Sequence, residues 1–267
     1  MSYFKTAQLK DQIGYIGNNT PTSEARVAEI TRLVGSQFTG STIDTNFWTA
    51  TVANSATITQ AASEITLTSG TNTAASAQLH SVHRGRVIAG ISQQWRGGIQ
   101  AGDTGTASNT RRWGVAWGAT MPTITDGAFF QLSGTTFQIV TRKGSSDTAV
   151  SSGAFNGSVS SYAMTTNAAT YEIYFTQTSV LFVINGVLIH TVSAASVTWT
   201  NEISLHCYMS NINSGNTTSV TLEARFASIR RFGKENSLPV YARISTATTS
   251  ILKYGSGFLH SIIINNP

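Results

Sequence analysis

Ala169–Ser193, ATYEIYFTQTSVLFVINGVLIHTVS, is the stretch whose reading decides the fold. Tyr171, Ile173 and Phe175 alternate with Glu172 and Tyr174. Val180, Phe182 and Ile184 keep the same two-residue rhythm, and Val187 and Ile189 continue it. A period of two puts every second side chain on one face of a strand, so each run has an apolar face that must be covered. Asn185-Gly186 separates the second run from the third. That pair accepts positive φ at both central positions, as a type I′ hairpin turn requires. The stretch predicts a three-stranded meander, with the middle of the chain built to cover it.

Working outward, alternating runs recur at Ala56–Gln60, Glu64–Thr68, Ala75–Val82, Val87–Trp95, Arg112–Trp117, Ala128–Leu132, Thr136–Thr141 and Asp147–Ser151. Beyond the meander they recur at Ile203–Ser210, Ser219–Arg225 and Ala227–Arg231. Turn pairs such as Ser69-Gly70, Gly97-Gly98, Ser133-Gly134, Lys143-Gly144 and Ser214-Gly215 punctuate them. Many short strands with regular turn signals argue for an antiparallel sandwich or barrel. Residues 1–35 differ: Thr20-Pro21 reads as a helix start, and Val27, Ile30 and Val34 follow at helical spacing. The expected organisation is an N-terminal docking arm over 1–35, a β-sandwich over 36–233 and the start of a small C-terminal β module over 234–267. Residues near 36 and 233 are expected to meet in one sheet.

Charged residues make up 11% of the 267, against about 25% in ordinary globular domains. The net charge of +5 comes from few acids rather than from a dense basic run. The adjacent basic pairs Arg111-Arg112, Arg142-Lys143 and Arg230-Arg231 are scattered, so no nucleic-acid stripe is expected. Cys207 is the single cysteine, which excludes an intrachain disulfide, and its alternating surroundings predict a buried apolar position. The opening MSYFKTAQLKDQIG lacks the apolar core of a signal peptide. No run approaches the ~18 apolar residues of a membrane span, so no membrane insertion is expected.

Phe38-Thr-Gly-Ser-Thr-Ile-Asp44-Thr-Asn-Phe-Trp48, preceded by Arg32-Leu-Val-Gly35, resembles the entry motif of concanavalin A-like (laminin-G-like) jelly-roll domains in tailed-bacteriophage virion proteins. Trp113-Gly-Val-Ala-Trp117-Gly, Gly127-Ala-Phe-Phe-Gln131, the Asn185-Gly186 meander and the closing Glu223–Arg230 are similar to the same fold. The resemblance implies an all-β, two-sheet antiparallel sandwich. It also implies a non-enzymatic structural protein of the virion, made in the host cytoplasm. Val27, Ile30 and Val34 would be its assembly contacts, and its partners would be other virion proteins and further copies of itself. Two other functions fit the fold: recognition of a host surface glycan, and glycoside hydrolysis.

Glycosidases of this fold carry alternating acids, Glu-x-Asp-x-Glu, on one strand, because hydrolysis needs two carboxyl groups about 5–9 Å apart. Here Asp44, Glu64, Asp103, Asp126, Asp147, Glu172, Glu202 and Glu223 stand singly, which predicts no enzyme. His80 and His83 would point to opposite faces of a strand, so no metal and no cofactor are expected. Trp113 and Trp117 share a face, with Trp95 at the end of another run. They read either as core or as a platform for sugar rings. If a glycan binds, its expected site is Trp95, Asp103, Asn109, Arg111, Trp113 and Trp117, around the loop 97–111.

Overall fold

A computed structural model describes residues 30–87, 92–176, 178–197 and 204–232. Its first strands are β1 (Ile30–Gln37), β2 (Trp48–Ala53), β3 (Thr57–Ala61), β4 (Glu64–Thr68), β5 (Ser76–Ser81) and the two-residue β6 (Gly85–Arg86). The central strands are β7 (Gln93–Ala101), β8 (Asn109–Trp117), β9 (Asp126–Ser133), β10 (Thr136–Lys143) and β11 (Ser146–Ser151). The meander supplies β12 (Ala169–Phe175), β13 (Ser179–Ile184) and β14 (Val187–Ser193), and β15 (Ser204–Asn213) and β16 (Thr221–Phe232) close the fold. One 3₁₀ turn, Ala194–Val197, is the helical element among the described residues.

The strands form two antiparallel sheets. The first runs β14-β13-β12-β7-β16-β4-β3, with β1 also on β16. The second runs β11-β10-β9-β8-β15-β5-β2, with β6 also on β15. The chain crosses repeatedly between them, which gives the jelly-roll sandwich. The meander has the expected register: Asn185 and Gly186 sit at φ 49° and 79°, and Tyr171, Ile173, Phe182 and Ile189 all point into the core. Between the sheets, Tyr171 and Phe130 rings lie 5.0 Å apart, Tyr171 and Trp113 5.1 Å, and Phe130 and Phe182 5.4 Å. Cys207 is buried there too, and burial raises its thiol pKa.

The sandwich starts earlier than the sequence suggests. Ile30–Gln37 is a strand, paired from Ile30↔Phe232 to Gln37↔Phe226, and Val34 packs into the core. The edge of β16 beyond Ala224 would otherwise leave backbone donors and acceptors unpaired. Val34 is therefore a core residue, not an assembly contact. Gly35 sits at φ +94° against Ala227, whose carbonyl oxygen leaves no room for a Cβ. Val27 and the proposed C-terminal module lie outside the described residues, as does the side chain of Ile30.

Gly97-Gly98 is not a turn but the middle of β7. A Cβ at Gly97 would come within 2.7 Å of the Trp95 ring, and one at Gly98 within 2.6 Å of Phe226. The connection between β7 and β8 shrinks accordingly to residues 102–108. The entry motif closes on itself: Asp44 caps the turn through Asn46, and Trp48 donates its indole N–H to the Ser36 hydroxyl at 2.8 Å.

Candidate functional site

Strand β8 divides the polar residues of this molecule between two sides. Asn109, Arg111, Trp113, Val115 and Trp117 face the other sheet; Thr110, Arg112, Gly114 and Ala116 face outward, as alternation requires. Trp113 and Trp95 have no exposed surface and no face to offer a sugar, while Trp117 is partly buried against the core. Inward positions on strands covered by a second sheet fill with the largest apolar rings.

The three polar candidates form a latch inside one end of the sandwich. Arg111, with no side-chain exposure, pairs with Asp103 at 2.5 Å and donates to the Thr221 carbonyl at 3.2 Å. Burial pushes the Asp103 carboxyl up, but Arg111, the Thr106 hydroxyl and the Gly105 amide outweigh it and hold it below its usual value. Asn109 donates to Asn211 at 2.8 Å and to Asn213 at 2.9 Å. Asn211 in turn donates to the carbonyls of Leu67 and Val220, tying β15 to the opposite sheet. These groups bond to one another and to backbone of both sheets, with Arg111 Nε and the Asn109 side-chain oxygen left without a partner among the described residues, and so they join the sheets.

On the outward face of the second sheet, register assembles a site that sequence reasoning missed. Thr51, Gln78, Ser210, Arg112, Gln131, Gln138 and Ser151 stand opposite one another in turn, one from each of seven strands. Arg112 donates through Nε to Gln131 at 2.5 Å, Gln131 to Gln138 at 2.7 Å, and Gln138 to the Ser151 hydroxyl at 3.1 Å. The result is a polar row running perpendicular to the strands.

A second row lies one pleat away: His80, Tyr208, Gly114, Phe129 and Val140. Phe129 and Tyr208 meet edge to face with centroids 5.9 Å apart, over Gly114, and the Arg112 guanidinium lies 5.6 Å from the Phe129 centroid. Tyr208 donates to Gln78 at 2.8 Å, and burial raises its pKa. Met121 and Ile124, from the loop between β8 and β9, pack against this apolar row and wall one side. The His80 and His206 rings meet at 5.5 Å; burial and then the neighbouring His206 push His80 down to about 4.

Two arginines on this face share one carboxylate. Asp147 takes Arg112 and Arg142, each at 2.6 Å, and is the carboxylate this face presents among the described residues. The outward positions of β9 are Gly127, Phe129, Gln131 and Ser133. Among the described residues there is also no group of three or more potential metal ligands. One signal could have revealed the site: once Trp113 is assigned inward, Arg112 must point outward, and Phe129 and Gln131 with it.

No family model matches the chain, and no curated protein is significantly similar to it. Solved structures do match in fold. An endo-1,3-β-glucanase from Streptomyces sioyaensis superposes with TM-score 0.57 at 10% identity, over 77% of this chain and 97% of that one. The endo-β-1,3-glucanase of Pyrococcus furiosus gives 0.56 at 10% identity, over 77% and 95%. The carbohydrate recognition domain of Emp47p gives 0.54 at 10% identity, over 75% and 95%. The fold is therefore the concanavalin A-like jelly roll of glycoside hydrolases and lectin domains. The expectation of a non-enzymatic virion structural protein is corrected by these matches. They are to glycan-directed proteins, several of them enzymes, and lend the virion setting no support.

Proposed function

We propose that the chain is a glycan-directed β-sandwich that holds a saccharide across the outer face of its second sheet, along the row from Thr51 to Ser151. The observation that carries this reading is the row itself. A sugar presents donors and acceptors on every ring, and a partner must answer with both. Amides and hydroxyls do so, and Arg112 adds the guanidinium donors not spent on Gln131 and Asp147. The Phe129–Tyr208 pair beneath is buried, and it supports the Arg112 guanidinium from below rather than offering a ring face. A chain of side chains already hydrogen-bonded to one another is also preorganised, so binding loses little side-chain entropy. The glucanase and lectin-type names of the structural neighbours agree with this class of ligand.

Calorimetric titration with laminarin, a soluble β-1,3-glucan, tests the proposal, with a panel of other neutral glycans beside it. Arg112→Ala and Gln131→Ala should each weaken binding about tenfold, the loss of one charge-assisted or good hydrogen bond. Failure to bind any neutral glycan, or affinities indifferent to both changes, would remove the reading.

A second reading, hydrolysis of the bound glycan, is favoured by the glycoside hydrolases among the neighbours. Its chemistry would fall to Asp147, the carboxylate on this face. Arg112 and Arg142 each pair with that group at 2.6 Å and fix its position on the face. Release of reducing ends from laminarin, abolished in Asp147→Asn, would establish this reading. Laminarin left intact after prolonged incubation would refute it.

A further inference from the structure

The outer face of the first sheet carries charge of a different kind. Arg32 of β1 stands directly opposite Arg230 of β16, and Arg230 directly opposite Gln94 of β7. Arg96 lies two residues along β7 from Gln94 and opposite Ser228, so it is diagonal to Arg230. Opposed Cβ atoms in an antiparallel pair are about 5 Å apart and diagonal ones about 7 Å. Three guanidinium side chains therefore rise from one small patch.

The carboxylate beside them is already engaged. Glu172 accepts from Arg96 at 3.1 Å, Gln94 at 2.9 Å and the Tyr174 hydroxyl at 3.4 Å. Among the described residues no carboxylate reaches Arg32 or Arg230; Arg230 donates to the Ser228 hydroxyl at 3.2 Å. Burial lowers the Arg230 pKa, and the positive charges of Arg96 and Arg32 lower it further against the pull of Glu172. Like charges set opposite one another destabilise a sheet. An anion lying between them would reverse the sign of that contribution.

Aromatic rings border the arginines. The Arg96 guanidinium lies 5.4 Å from the Phe226 centroid, and Tyr174 and Phe232 stack at 6.2 Å with 14° between planes. Phe226 is covered on one side by Arg96, while Tyr174 and Phe232 cover each other. None of these rings has two free faces with which to sandwich a nucleobase. A single exposed face suffices for the C–H side of a sugar.

We propose that this patch is a second glycan site, selective for sugars that carry carboxylate or sulfate groups. The oxyanion takes the forked donors of Arg32 and Arg230, a geometry that guanidinium matches two bonds at a time. The sugar ring rests against the aromatic border. This site lies on the opposite face from the neutral-glycan row and does not depend on it.

The test is affinity for heparin (sulfated) and polygalacturonate (uronate), with laminarin and single-stranded DNA of matched charge as comparisons. Wild-type protein should bind both acidic polymers, more weakly as salt rises. The double variant R32Q/R230Q should bind them about tenfold more weakly with a thermal midpoint equal to or above wild type, because a repulsive pair is removed. Its laminarin affinity should not change. Equal binding by wild type and double variant would overturn the site. DNA binding as tight as heparin would overturn the assignment to sugars. Loss of laminarin binding by Arg112→Ala with heparin binding intact keeps the two faces distinguishable.

Discussion

Arg111 and Arg112 are neighbours in the chain and opposites in the fold. Arg111 points between the sheets, has no exposed surface, and closes a latch with Asp103 and the Thr221 carbonyl. Arg112 points out, lies half-buried over Phe129, and passes its hydrogen bonds along a surface row. Both are paired with an aspartate. The difference shows that hydrogen bonding alone does not mark a residue as structural or ligand-facing. What marks it is whether its partners belong to two layers of the fold or to one. The Arg111 network spans both sheets, whereas the Arg112 network stays on the face of one.

The sharpest way to break this contrast is to remove both arginines in turn. Arg111→Met leaves Asp103 and the Thr221 carbonyl without their buried partner and should cost about 3 kcal/mol or more in urea unfolding. Arg112→Met, losing partly solvated pairs, should cost no more than about 1 kcal/mol. Equal costs would mean that the outer row, too, is part of the scaffold. The next effect in size compares amides. Asn211→Ala removes the bonds to the carbonyls of Leu67 and Val220, which join the two sheets, and should cost about 2 kcal/mol. Gln131→Ala should leave the unfolding midpoint nearly unmoved while reducing laminarin affinity.

The smallest expected effect is a pH dependence at the edge of the apolar row. The unfolded chain protonates a histidine near 6.5, whereas His80 in the fold resists until about 4. Between those values the unfolded state binds the extra proton, so stability falls as pH drops through that window and is full above it. A loss of about 1 kcal/mol between pH 7 and about pH 5.5 is expected from this group. His80→Phe should flatten that slope. An unchanged slope would show that the acid sensitivity arises elsewhere, for example at His206 or His190, which burial also lowers.

Much of the scaffold was legible because local chemistry and tertiary packing agree there. The Asn185-Gly186 turn, the alternation through Tyr171 and Phe182, and the burial of Cys207 all follow from patterns a few residues long. Where reading failed, a distant partner decided. Gly97-Gly98 looks like a turn until the Trp95 and Phe226 rings fill the space that two side chains would need. Val34 looks like one face of a helix until β16 requires an edge partner. The outer row was invisible for the same reason: its seven members are spread from Thr51 to Ser210 and are joined only by register. The tryptophans drew attention instead because they are large, and size alone does not say on which side of a strand a ring lies.

Gly114 has a consequence for how such a face can change over time. It sits at φ +152° between Tyr208 and Phe129, and a Cβ there would collide with the Ala128 carbonyl oxygen. Any replacement at this position would strain the strand and press on the backbone of β9 and on Ile173, so the centre of the face is closed to stepwise variation. Under the proposed function, variation in what the face recognises must then begin at its ends, around Thr51 on β2 and Ser151 on β11, and work inward. Homologous chains compared at these positions should show a constant middle and changeable margins.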